Sequence, residues 1–200
     1  MMTQPTITSA RPECSPPVIA AAKHLMAEVG YGGMSMRQVA GRAGLSAGSL
    51  YYYVADKHDL LLMVVQDAIE QRELEWKRHR RAKTTLARLK ELVTFLIAWQ
   101  ASHPADVTAL RSETRHLEPK IRSVIMARSE RPLRYLEGLI VDGKREGLFT
   151  NIDGEHCTAL TIMALVEAAK SLDEALHQVP VATHVLRCAL RLLGVRSLAA

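Results

Sequence analysis

No stretch of this sequence is apolar for the roughly 18 residues that a membrane span requires, so no transmembrane function is expected. Cysteine is scarce: Cys14, Cys157 and Cys188 are odd in number, widely spaced and unlike any zinc or redox motif, so no disulfide framework is expected. Together with the lack of a basic leader before an apolar run, that usage points to the cytoplasm. Cys157 and Cys188 lie in apolar helical stretches and are expected in the core. Strand-like alternation is missing, which argues against a sheet protein. Catalytic grammar is missing as well. His103, His116 and Glu113 have no metal-ligand spacing, no glycine-rich phosphate loop follows a strand, and no serine or cysteine has a base partner. We therefore expect no enzyme and no resident metal or other cofactor.

What is present is concentrated between Ser35 and Lys57, in SMRQVAGRAGLSAGSLYYYVADK. Ser35, with Gln38 three residues on, forms a capping box that opens a helix. Val39 and Ala43 face inward along it, Ala40 is small where a second helix must cross, and Gly44 stops it in a left-handed conformation. Leu45 fills the corner, Ser46 caps the second helix, and Leu50 returns to the shared core. That second helix exposes Ala47, Gly48, Ser49, Tyr51, Tyr52 and Tyr53. Small groups, hydroxyls and rings without an acid make a surface that enters a major groove without repelling phosphate. Three consecutive tyrosines cannot share one direction, and Tyr52 is the one expected to pack against the first helix. Asp56 is a good N-cap, which puts Lys57 at a helix start, where phosphate is favoured.

Residues 18 to 63, including VGYGGMSMRQVAGRAGLSAGSLYYYVADKHDLL, resemble the DNA-binding domain of the TetR family of transcriptional repressors. The resemblance implies a homodimer on a double-stranded DNA operator, with Ser46, Ala47 and Ser49 at base edges or sugar-phosphate. It also implies Tyr51 and Tyr53 at phosphates or bases, Lys57 clamping a phosphate and Ser35 contacting another; Tyr52 completes the candidate set. Met26, Tyr53 and Val54 depart from the family's usual Phe, His and Phe. The first and third alter packing, and the second leaves base preference at that position open. The segment ALRSETRHLEPKIRSVIMARSERPLRYLEGLIVDGKREGLF resembles the C-terminal half of a subgroup that responds to fatty-acyl or other acyl-CoA molecules, which implies a small-molecule effector of that kind. Two alternatives stand beside that implication: a regulator that takes a metal ion as effector through a histidine, and an all-helical protein-interaction module.

Residues 1–14, rich in Thr, Pro and Ser, read as a mobile arm from which Arg11 reaches DNA. Residues 15–62 read as the helix-turn-helix DNA-binding domain and 63–200 as a ligand-binding and dimerisation domain, joined by a long fourth helix without a linker. The fold class is all-α: three N-terminal helices, then helices over Thr85 to Ser102, Pro104 to about His116, Glu118 to Gly147 with a kink or break at Pro132, Asp153 to about Leu176, and Pro180 to Leu193. The first helix opens at Ser15 and carries the inward stripe Ile19, Ala22, Met26 and Val29. Phe95, Leu96, Trp99, Met126 and Met163 are candidates for the wall of an effector cavity, with Arg111, Arg115 and His116 as polar anchors. The basic run WKRHRRAK, Trp76 to Lys83, holds much of the excess behind the net charge of +5 and reads first as a solvated helix end, second as a holder of an anionic ligand. The last two helices are apolar over more of their circumference than one core face requires. Leu160, Ala164 and Ala168 make one seam, Leu186, Leu190 and Leu193 another, and the resemblance pairs both with their twins in a four-helix dimer interface.

Overall fold

The computed structural model describes residues 16–151, 154–175 and 180–195, which form helices, turns and connections without a strand. The expected arm with Arg11 and Cys14, the Ser15 cap and the helix start at Asp153 lie outside the described residues. Two contact units divide the chain. The first holds the described residues up to Ala68 together with Ala105–Arg122; the second holds Ile69–Pro104 and the described residues from Ser123 onward.

In the first unit, α1 (Pro16–Gly33) begins on two prolines, whose missing N–H groups would find no partner in a first turn anyway. Its buried face is Val18, Ala21, Ala22, Leu25 and Met26. The expected stripe is thus rotated: Ile19 is half-buried and Val29 is 49 % exposed. At Gly30, whose φ is 70°, the helix is interrupted, and beyond it Tyr31 is buried. In α2 (Met36–Arg42), Ser35 accepts the Gln38 N–H at 3.3 Å while Gln38 Oε1 accepts the Ser35 N–H at 2.8 Å, the reciprocal box that the spacing predicts. Val39 and Ala40 are buried and Ala43 is half-buried. Gly44 follows at φ 71°. Ser46 caps α3 (Ala47–Tyr53) by accepting the Ser49 N–H at 3.0 Å, and Leu50 is fully buried.

Asp56 caps α4 (Lys57–His79), accepting the Asp59 N–H at 2.8 Å, and Leu60, Leu61, Val64, Val65 and Ala68 form its buried stripe. Burial of Met26, Leu50, Leu60 and Leu61 contributes about 2 kcal/mol each before chain entropy is charged. After α5 (Thr85–Ser102), which belongs to the second unit, α6 (Pro104–Arg111) and the 3-10 turn Glu113–His116 bring the chain back to the first. There Lys23 Nζ lies 2.5 Å from Asp67 and 2.5 Å from Asp106, a three-residue ion cluster joining α1, α4 and α6.

The helix expected over Glu118 to Gly147 is two: α7 (Pro119–Ser129) and α8 (Arg131–Arg145). The break falls so that Pro132 stands in the first turn of α8, where a missing donor costs nothing. Likewise α9 (Glu155–Glu167) and α10 (Ala169–Ala175) replace one longer helix, and α11 (Val181–Leu192) closes the described chain. In the second unit α5 packs against α8, α9 and α11 around Leu89, Leu92, Leu136, Ile140, Ile162 and Leu190. Cys157 is exposed and Cys188 half-buried, which corrects the expectation that Cys157 is a core residue: it lies on the outward side of α9.

Candidate nucleic-acid interface and ligand cleft

The outward face of α3 carries Ala47, Ser49, Tyr51 and Tyr52, all exposed, with the cap Ser46 also exposed and its Oγ 2.8 Å from that of Ser49. Tyr51 and Tyr52 are 52 % and 67 % exposed, while Tyr53 is half-buried and meets the Tyr52 ring edge-on at 5.5 Å. The expectation that Tyr52 packs inward is therefore corrected. The reason is helical phase: Leu50 and Val54 are the buried pair, and a residue two positions after Leu50 lies about 200° around the helix, on the far side. Ser35 is exposed, and its hydroxyl lies 2.8 Å from Gln38 Oε1. Lys57 is half-buried at the start of α4. Its Nζ stands 4.5 Å over the Tyr31 ring and donates to Gly32 O at 3.3 Å. A lysine ammonium has three donors, so two remain to meet phosphate. Arg42, by contrast, is engaged by Glu28 at 2.7 Å.

The second unit contains a cleft of about 200 Å³. Arg72, Glu73, Trp76 and Lys77 of α4, Arg80 just past its end, Leu92, Phe95 and Leu96 of α5, and Arg131, Pro132 and Tyr135 of α8 line it. Trp76 packs on Phe95 at 5.1 Å and on Tyr135 at 5.9 Å, making an aromatic wall. Glu73 is shared between Arg131 of the lining at 2.9 Å and Arg128 outside it at 3.4 Å, and as the one acid among the lining residues it leaves the cleft net cationic. Burial pushes the Arg72 pKa down from its ordinary value against the pull of Glu73, and its guanidinium donates to Ser129 O at 2.9 Å. Four cations beside three rings suit an anion with an apolar or flat portion.

Of the expected cavity residues, Phe95 and Leu96 line this cleft. Trp99 is buried, stacked on His103 at 5.2 Å and 5.7 Å from the Arg72 guanidinium, yet it does not line the cleft. Met126 is 39 % exposed and Met163 half-buried, both away from the lining. Arg111, Arg115 and His116 belong to the first unit and are not among the residues that line this cleft; the His116 ring packs on that of Tyr31 at 4.8 Å. Arg72 and Tyr135 are not among the expected lining residues, whereas Trp76 and Arg80 fall in the basic run Trp76 to Lys83, whose second reading is as a holder of an anionic ligand. Arg72 and Trp76 lie four residues apart on one face of α4, and Arg80 follows four residues on, just past its end, a spacing that points to them. Leu160 is 44 % exposed, Ala164 and Ala168 are exposed and Leu186 is half-buried. Leu190 and Leu193 have no exposed surface within the single chain, so they serve its own core and offer nothing to a partner, which corrects their place in the dimer seam. Among the described residues no group of three or more His, Cys, Asp or Glu could hold a metal ion, and no helix is long and apolar enough to cross a membrane.

Two family patterns match the sequence: that of the bacterial regulatory proteins of the tetR family over residues 18–64, and that of the tetracyclin repressor-like C-terminal domain over residues 82–171. No curated protein sequence matches the chain. Solved structures share its fold. A tetR-family bacterial regulatory protein from Rhodococcus RHA1 superposes with a TM-score of 0.79 at 24 % identity, covering 90 % of this chain and 97 % of that one. AibR in complex with isovaleryl coenzyme A and operator DNA gives 0.74 at 18 %, covering 88 % and 95 %. FadR from Bacillus subtilis in complex with stearoyl-CoA gives 0.70 at 19 %, covering 90 % and 97 %.

Proposed function

The chain belongs to the TetR family of bacterial regulatory proteins, which are DNA-binding regulators and not enzymes, and from that premise we propose that it is a homodimeric cytoplasmic repressor released from a near-palindromic operator by a small apolar or acyl-CoA-like effector. In this reading residues 15–62 bind DNA and 63–200 bind ligand and dimerise. Ser46, Ala47, Ser49, Tyr51, Tyr52 and Tyr53 address the major groove, and Ser35 and Lys57 hold phosphates. The observation that carries it is α4: one uninterrupted helix begins at the Lys57 clamp and supplies Arg72, Trp76 and Lys77 to the cleft, with Arg80 just past its end. A rigid element shared by two sites is what coupling between them requires.

The cleft supports the effector class. Trp76, Phe95, Leu92 and Leu96 offer an acyl chain an apolar wall, and Arg72, Lys77, Arg80 and Arg131 offer charge to phosphates. Two of the similar structures hold acyl-CoA, which favours the same class here. For release, the effector must bind the conformer unsuited to the operator more tightly than the DNA-bound one, and operator must in turn weaken effector affinity by the same factor. The test is binding of the purified protein to the DNA upstream of its own gene, in rising salt, with and without a panel of acyl-CoA compounds. Salt-sensitive binding released by one compound upholds both halves. Binding indifferent to the panel keeps the regulator and discards the effector, and salt-independent or absent affinity for any duplex discards the DNA reading.

A further inference from the structure

Three stretches far apart in sequence meet at the start of α4. Glu113 is 4 % exposed, and its Oε2 accepts the Tyr31 N–H at 3.1 Å. That amide directly follows Gly30, so the carboxylate pins the chain at the point where α1 loses its helical course. The two groups that hold the Lys57 ammonium, the Tyr31 ring and the Gly32 carbonyl, both belong to the short segment pinned in this way. His116, on the same 3-10 turn as Glu113, packs on the Tyr31 ring at 4.8 Å.

A free lysine side chain samples many rotamers, and when ordering it costs more than a phosphate contact returns it stays in solvent and releases no counterion; one held beforehand makes the contact. We propose that Glu113 is a positioning residue for the phosphate clamp: by fixing Tyr31 and Gly32 it holds the Lys57 ammonium ready at the helix start. The inference rests on the reading of Lys57 as a phosphate contact.

The test uses a duplex that the full-length wild-type protein selects from a random pool, with affinity measured across a range of salt. Lys57→Ala is expected to weaken binding and to flatten the slope of log affinity against log salt by about one per protomer. Glu113→Ala and Tyr31→Leu are expected to reproduce that flattening, each with roughly fivefold weaker binding. Glu113→Ala added to Lys57→Ala should cost nothing further, because both remove one contact. Glu113→Gln retains an acceptor for the Tyr31 N–H and should keep the wild-type slope. If Glu113→Ala weakens binding with the slope unchanged, or adds in full to Lys57→Ala, the residue only supports the fold and the proposal is overturned. Should Glu113→Ala not fold, Tyr31→Leu decides by the same slope, since it keeps the backbone N–H and refills the core. An unchanged slope in Lys57→Ala would instead sink the clamp itself, and a wild-type protein without salt-dependent affinity would sink the DNA-binding reading.

Discussion

At the scale of single residues, function falls to side chains that the core does not claim. Leu50 and Val54 take the inward side of α3, which leaves Tyr51 and Tyr52 standing in solvent on a helix without an acid. Replacing Tyr51 by Phe removes one hydroxyl, and replacing Lys57 by Ala removes one cation. Both variants should weaken operator binding while sedimentation shows an unchanged dimer; dissociation of the dimer would mean that these residues have been given the wrong role. Caps were legible in advance because they are local: Ser35 needs only Gln38 three residues on, and Ser46 only the next turn. Tyr52 was misread although its direction follows from the phase that Leu50 sets. His116 could not be read at all, since its partner Tyr31 is distant in sequence and only the fold brings the two rings together.

Elements add what residues alone do not have. Lys23 joins α1 to Asp67 on α4 and Asp106 on α6. Burial works against its ammonium, yet hydrogen bonds and charge from Asp106 and Asp67 prevail and hold its pKa above the ordinary 10.5. A group whose folded pKa is raised stabilises fully below its unfolded value and ceases to do so as pH climbs through the folded one. The Lys23 contribution should therefore be level across neutral pH and vanish only in alkali above 10.5. Lys23→Met, which strands two carboxylates, should cost about 3 kcal/mol in urea unfolding at neutral pH, with the gap to wild type closing in strong alkali. A gap that stays open in strong alkali would place the stabilisation elsewhere. On α4 the cleft residues could have been recognised by their four-residue spacing, whereas the α5 and α8 walls that complete the cleft depend on tertiary packing. Trp76→Ala should weaken effector binding about tenfold or more through lost burial, leaving affinity for operator in the absence of effector intact. Equal loss in both assays would indicate that Trp76 supports the fold and not the ligand.

At the scale of the whole molecule, one α3 helix is too little to read an operator, because a single short helix meets few base edges. The proposed twofold pairing would answer this by presenting two reading helices about 34 Å apart, one turn of duplex, so that half-sites on a near-palindrome would be contacted together. The surface proposed for that pairing is α9 with its C-cap, where Leu160 and Ala164 of the helix and Ala168 just past it recur on the exposed side at four-residue steps. Small side chains there let a second helix approach closely, and Leu160 supplies the apolar area. On α11 only part of the expected seam is open to a partner: Leu186 is half-buried and Leu192 is 37 % exposed, while Leu190 and Leu193 are consumed by the protomer. Excess apolarity in the sequence of α11 was thus a sign of a core packed on more than one side, a distinction that periodicity cannot make without knowing the neighbours. Ala164→Glu would set two like charges against each other across a twofold axis and remove them from water. It should convert the dimer to a monomer in sedimentation while the helical circular dichroism of each chain is kept. Operator affinity should then fall far more than salt-sensitive affinity for unrelated duplex, because only the former needs two linked half-sites. If Ala164→Glu remains dimeric and binds operator normally, the pairing surface lies off α9.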